Sequence, residues 1–278
     1  MRKIKIVADS SCDIFELEHA EFATAPMKIV TAEREFVDDD SLDVDGMAEF
    51  LYHYKGKSQS SCPSMADWLD AFGDADDIFC VTITSSLSGS YNAACAAKQF
   101  FEAENSGKRV HVFDSLSAGP EVVLAIEKIE ECIERGDDFE EICKTVSEYM
   151  KKTGLVFMLK SLKNFANNGR VSPIVARLVG IAGICIVGKA SNEGTLEPKD
   201  KCRGERRSLE ALVEALEAEG FRSGKISIGH CQNEEAAEKI KGMIFSKFEN
   251  VRLEIHRFRG LCSFYAEKGG IIIGFEKA

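Results

Sequence analysis

What this sequence lacks narrows its function first. It has no positive surplus: 35 Lys and Arg stand against 46 Asp and Glu, a formal net charge of −11, and the sequence pI is about 5.1. Binding nucleic acid irrespective of sequence needs a basic face, and so does docking on anionic lipid; neither suits this charge. No apolar run approaches the ~20 residues of a membrane span, and the apolar part of the opening MRKIKIVADSS is too short for a secretory signal. The expectation is a cytoplasmic protein with no nucleic-acid partner and no stable membrane insertion. Neither a GxSxG elbow nor an HExxH pair occurs, and no two of His19, His53, His111, His230 and His256 sit at metal-ligating spacing. None of the ten cysteines forms a CxxC, and several, such as Cys80 and Cys185, lie in apolar runs. Buried free thiols are therefore expected, not disulfides or zinc. No metal and no cofactor are expected.

What is present describes a globular chain. Hydrophobic residues make up 45% and charged residues 29% of 278, enough for one large core or two ordinary ones. The most informative stretch is VTITSSLSGSYNAACAA (81–97). Its β-branched start favours a strand and its alanine-rich end a helix. Between them lie Thr84, Ser85, Ser86, Ser88, Gly89 and Ser90. The first N–H groups of a helix lack partners and face the positive end of its dipole, and serine hydroxyls add donors, so such a turn is a ready anion site. N-capping alone explains one serine; four in six residues exceed that need.

SQSSCPSMADWLDAF (58–72) repeats the logic. Ser60, Ser61, Pro63 and Ser64 precede a helix whose Met65, Trp68, Leu69 and Phe72 share one face. KIKIVA (3–8) and VHVF (110–113) read as strands, each followed by a polar turn. Residues 122–135 and 138–153 read as helices, the second capped by Asp137 or Asp138. Strands alternating with helices predict an α/β fold with a parallel sheet, whose ligands sit at the carboxyl ends of its strands. After Gly154 the texture becomes strongly apolar with interleaved lysines, and a domain boundary is placed there. Strands are expected over 225–230 and 251–258, helices over 209–219 and 234–248, and a hairpin plus loop over 194–207.

Two motifs are set aside. The acidic run FVDDDSLDVD puts Asp43, Asp45 and Gly46 at calcium-loop positions, but Ser41 and Tyr52 fall where the first ligand and the bidentate glutamate belong. A solvated loop is expected instead, with Asp45 capping a helix over 46–54. The near-Walker run GICIVGK (183–189) is followed by Ala190, so the hydroxyl for magnesium is missing, and its middle reads as a strand. The residues alone favour binding an anion over bond-making chemistry. The rival is a small-molecule kinase or phosphotransferase using the same serine turns for phosphate.

Taken in order, DSSCD (9–13), SSCPS (60–64), TSSLSGSY (84–91), FDSLSAG (113–119), NNGRVS (167–172) and CRGERRSLEALVE (202–214) resemble the DegV family over nearly the whole chain. The resemblance implies a two-domain α/β fold: a parallel-sheet domain (1–154) carrying the hydroxyl turns, and a mixed α/β domain (155–278) covering an acyl tail, with the ligand between them. It implies a non-catalytic protein that binds a long-chain fatty acid and presents it to a fatty acid kinase, which makes an acyl phosphate for phospholipid synthesis. Carried over onto matching positions, Ser60, Ser61, Ser85 and Ser88 would hold the carboxylate, Arg170 would be the cation beside it, and Arg203 would dock the kinase. Cys62 stands where the family has Gln. Tyr265, where many members have a histidine, retains a hydroxyl donor, and Glu267 nearby adds a negative charge. Phe157, Met158, Leu162, Phe165, Ile181, Ile184 and Ile186 are candidates to line the tail tunnel.

Overall fold

The structure is a computed structural model and describes residues 2–172, 175 and 183–278. The chain opens with β1 (Ile4–Asp9), a 3-10 turn (Ser10–Cys12), β2 (Glu21–Ala25), β3 (Lys28–Val30), β4 (Glu35–Val37), α1 (Val44–His53), β5 (Gln59–Ser61) and α2 (Met65–Phe72). It continues through β6 (Asp77–Thr82), α3 (Ser90–Glu104), β7 (Arg109–Asp114), α4 (Pro120–Arg135) and α5 (Phe139–Met150). Then come β8 (Thr153–Leu159), α6 (Lys163–Asn167), β9 (Ile184–Ala190), β10 (Leu196–Arg203) and α7 (Glu205–Ala218). The described chain closes with β11 (Gly224–His230), α8 (Glu234–Lys247), β12 (Val251–Arg257), α9 (Gly260–Ala266) and β13 (Ile271–Glu276).

Among the described residues three sheets form. β2-β1-β6-β7 is four-stranded and parallel throughout. β10-β9-β8-β13-β11-β12 is mixed: only β11 and β12 run parallel. A small antiparallel sheet, β4-β3-β5, stands apart. β6 is buried along its whole length, which is why DIFCVT shows no polar alternation: helices cover both faces of a parallel sheet. α2 and α3 cover one face of that sheet through Trp68, Phe72 and Phe101, and α4 and α5 cover the other through Ile126, Ile129 and Val146. α4 also packs on β13, β11 and β8, so it is shared by both large sheets. Gly274 marks how closely: a Cβ there would stand 2.5 Å from the Glu121 backbone nitrogen. α7 and α8 cover the far face of the mixed sheet.

Local signals explain most boundaries. Ser64 and Asp67 form a capping box on α2, and Asp138 and Glu141 another on α5. Two expectations need correction. α1 begins at Val44, capped by Asp43, whose carboxylate accepts from Gly46 N–H at 2.9 Å; Asp45 does not cap it and instead pairs with Arg257. The charged stretch 194–207 does form a hairpin, β10 pairing antiparallel with β9, but a helix follows it where a loop was expected: Arg206 and Arg207 lie in the first turn of α7.

Candidate functional site

The carboxyl ends of β1, β6 and β7 face the mixed sheet, and between them lies a cavity of about 310 Å³. Its apolar walls come from both sides. Leu155, Phe157 and Leu159 on β8 point into it, the alternation of a strand with one face on a cavity. Ile272 on β13, Met27, Ile83 and Leu261 complete much of the rest.

One end is polar. Ser60 and Ser61 reach it from β5, not from a turn: both lie on that short strand, paired with Ile29 and Lys28 of β3. Tyr265, from α9, shares a 2.7 Å hydrogen bond between its hydroxyl and that of Ser60. Its ring packs on Phe165 at 4.6 Å between centroids. Burial pushes the Tyr265 phenol up from its ordinary value, while Ser60 and Arg170 pull the other way. Arg170 and Ser88 line the same end; the Arg170 guanidinium donates to the carbonyls of Leu87, at 3.2 Å, and Asn168. The two serine segments meet there. Gly89 approaches Cys62 so closely that a Cβ on it would stand 3.2 Å from the thiol sulfur.

Most sequence-derived candidates converge: Ser60, Ser61, Ser88, Arg170 and Tyr265 all line the cavity. Ser85 does not. It is exposed, its N–H donates to Asp114 at 3.0 Å, and it faces a surface depression beside the cavity. Thr84, buried, stands on the wall instead, and nothing in the residues singled it out over Ser85. Ser88 does not cap α3 either; the cap is Gly89, with no side-chain hydrogen bond. Arg203, at the end of β10, is exposed and away from the cavity. Of the tail-lining candidates, Phe157 and Phe165 are on the wall. Met158 points to the opposite face of its strand, toward α7 and α8, and Leu162, Ile184 and Ile186 pack beside Phe157 outside the wall. Ile181 lies outside the described residues. Glu267 is turned aside, accepting from the Ser161 hydroxyl at 2.7 Å.

Of the residues that hold the site together, the sequence marks only Asp9 and Asp13, as acids able to cap or hold the segment after the first strand; Asn168 and Asp38 it does not mark. Asn168, nearly buried, grips β5 as a neighbouring strand would: its Oδ1 accepts from Ser60 N–H at 3.4 Å and its Nδ2 donates to the Ser58 carbonyl at 3.3 Å. Asp9, fully buried at the end of β1, accepts from Ile83 N–H at 2.9 Å and the Ser90 hydroxyl at 2.6 Å, fixing the turn between β6 and α3. Asp38 accepts from the N–H groups of Gly260 and Leu261, each at 2.8 Å, and from the Ser10 hydroxyl at 3.0 Å. It thereby seats α9, the helix that carries Tyr265. Asp13 accepts from Arg259 N–H at 2.7 Å. Burial pushes the carboxyls of Asp9, Asp13 and Asp38 up, Asp13 to about 8. From the other side, the hairpin tip between β9 and β10 lies on the 84–86 turn. The Ser86 hydroxyl donates to the Glu193 carbonyl, and Gly194 (φ 74°) sits against Thr84. Among the described residues no group of three or more His, Cys, Asp or Glu is placed to hold a metal ion, and no helix is long and apolar enough to cross a membrane.

The sequence model described as an uncharacterised protein of the DegV family matches residues 3–278. A DegV domain-containing protein of Streptococcus pneumoniae is 41% identical over 276 residues, 98% of each chain. The structure is similar to a crystal structure of a DegV family protein from Eubacterium eligens loaded with heptadecanoic acid, at 44% identity and TM-score 0.96, covering 99% of this chain and 100% of the other. It is also similar to the fatty acid kinase B3 protein of Streptococcus pneumoniae loaded with linoleic acid, at 41% identity and TM-score 0.97, with the same coverage.

Proposed function

Because this chain belongs to the DegV family, we propose that it binds a long-chain fatty acid without turning it over and presents the carboxylate to a fatty acid kinase in the cytoplasm. The cavity carries the reading: it is apolar along β8 and β13 and polar at one end, the shape of an amphiphile with a single head group. In this proposal Ser60, Ser61, Ser88 and Tyr265 donate to the carboxylate and Arg170 supplies the nearby positive charge. Residues 1–154 carry the serine hydroxyls, while Tyr265, Arg170 and most of the tail wall come from 155–278. The likeness to relatives loaded with heptadecanoic and linoleic acid supports the ligand class.

The energetics suit it. A chain of ~14 buried methylenes yields roughly 11 kcal/mol gross at about 0.8 kcal/mol each, against an association cost of about 4–15 kcal/mol. A carboxylate left unpartnered in such a site would cancel much of that gain, so several hydroxyl donors at one end are what the ligand requires. The volume, about 310 Å³, falls at the lower bound of the roughly 300–1,000 Å³ common for small-molecule sites. Arg203 is the proposed contact with the kinase. It is exposed and, among the described residues, makes no ion pair, whereas Arg206 and Arg207 in the first turn of α7 are paired with Glu210 and Glu214. The test is native mass spectrometry of the protein from a bacterial host, followed by titration of delipidated protein with palmitate and oleate. A co-purified acid and saturable binding are expected; protein that ignores both acids would overturn the reading.

A further inference from the structure

The head end of the cavity carries Ser60, Ser61, Ser88 and Tyr265; its other end is found by following β8. β8 runs along the cavity, and its inward residues are Leu159, Phe157 and Leu155. Leu159 stands at the head end, because the chain leaves β8 there for α6, which carries Phe165 against Tyr265. Leu155 is therefore the far end, roughly 13 Å away at ~3.3 Å per residue. The register that pairs Val156 with Lys189 sets Ala190 beside Leu155 on the next rung. Leu155 and Ala190 line the cavity on one side and a surface cleft of about 510 Å³ on the other.

We infer that the rung formed by Leu155 and Ala190 is the partition that sets acyl chain length, and that the cleft behind it takes the end of a chain too long for the cavity. The inference rests on the fatty-acid reading above. One leucine side chain and one methyl group are all that this rung interposes. The cleft beyond is mixed in character: Asp114, Ser115, Ser147 and Asn192 line it alongside the apolar surface an acyl end would use. Leu116 is 42% exposed in a left-handed backbone conformation (φ 51°), held open by its N–H donating to Asp114 at 3.2 Å, and it lines this cleft together with Met150. Lys151 and Lys277 line it too, and their aliphatic stems cover apolar surface while the ammonium groups stay in water.

The experiment measures affinity of delipidated protein for saturated acids of twelve to twenty-two carbons, by competition against a fluorescent fatty acid. For the wild type, affinity rises about fourfold per added methylene while the chain still fills the cavity and then levels off. Leu155→Ala removes the partition and moves the plateau to longer acids by two carbons or more. Ala190→Leu, at a half-buried position that tolerates a larger side chain without opening a void, moves it to shorter acids. A plateau at the same length in all three proteins overturns the inference while leaving the fatty-acid reading intact. A wild type that binds none of the acids overturns both.

Discussion

Ser60 and Tyr265, 205 positions apart in the chain, share a hydroxyl–hydroxyl hydrogen bond of 2.7 Å. β5 brings one from the small antiparallel sheet, and α9 brings the other from near the carboxyl terminus. The pair closes the polar end of the cavity from both halves of the molecule at once. Tyr265→Phe keeps the ring on Phe165 and deletes only the hydroxyl. A hydrogen bond to a charged group contributes about 1.5–3 kcal/mol, so fatty-acid affinity is expected to fall by about tenfold or more, read by competition binding, with thermal stability little changed. An unaltered affinity would remove Tyr265 from the head-group site.

Ser88 and Ser85 provide a paired comparison three residues apart. Ser88 lines the cavity and Ser85 does not. Ser88→Ala is expected to weaken binding by about tenfold, and Ser85→Ala to stay within about twofold, as surface substitutions away from a site do. The reverse ranking in the same assay would mean that the 84–90 turn presents its other face to the ligand.

The contrast between those serines shows where the sequence stops being readable. Apolar periodicity is written locally, so α2, α4, α5 and the strands β1, β7, β11 and β12 could be located from the residues alone. Which serine of a turn faces inward is not local. It depends on Thr84 N–H donating to the Ser117 carbonyl at 2.8 Å and on the Ser86 hydroxyl finding Glu193, contacts between segments far apart in sequence. The same holds for Asp43 and Asp45. Both are acids near one helix start, and Arg257, over two hundred residues on, occupies the second and leaves the cap to the first. Phe157 and Met158 were separable only in part: alternation says that one faces the cavity and the other does not, but the choice needs the helices on the far side of the sheet. The motifs SSCPS and NNGRVS marked Ser60 and Arg170, while nothing in the sequence disclosed that Asn168 would serve β5 as a substitute strand.

Gly194 joins the two halves at a second point, against Thr84. A Cβ there would stand 2.1 Å from the Thr84 hydroxyl, at a φ of 74°. Gly194→Ala therefore forces the hairpin tip away from the turn, at a cost of about 1–3 kcal/mol for the backbone conformation alone. The expected outcomes are a lower melting temperature and faster release of bound fatty acid. An equally stable variant would show that the tip moves aside freely.

Asp13 gives the protein a pH signature. Burial raises its folded-state pKa from 3.8 to about 8, so between those values the folded state holds a proton that the unfolded chain has released. Stability then falls as pH rises through that window and levels off above it. Asp13→Asn removes this contribution. Relative to wild type, the variant is expected to gain stability steadily as pH is raised from about 5 to about 8, measured by urea denaturation. Asp9, Asp38 and Glu121, raised in the same direction by burial, leave some slope in both proteins. A stability difference that does not change with pH would mean that Asp13 is ionised in the fold.

Arg203→Ala separates binding from delivery. The side chain is exposed and distant from the cavity, so fatty-acid affinity and stability are expected to stay within about 0.5 kcal/mol of wild type. Acyl-phosphate formation with a fatty acid kinase is expected to slow at sub-saturating carrier. Unchanged kinetics would place the docking edge elsewhere.

The seat of α9 has a genetic corollary. Asp38 does not itself line the cavity, yet two N–H groups of α9 hang on its carboxylate, and that helix delivers the tyrosine. Screening random variants for lost lipid traffic should therefore recover Asp38 alongside Ser60 and Tyr265, so the set of sensitive codons will extend beyond those whose side chains meet the cargo.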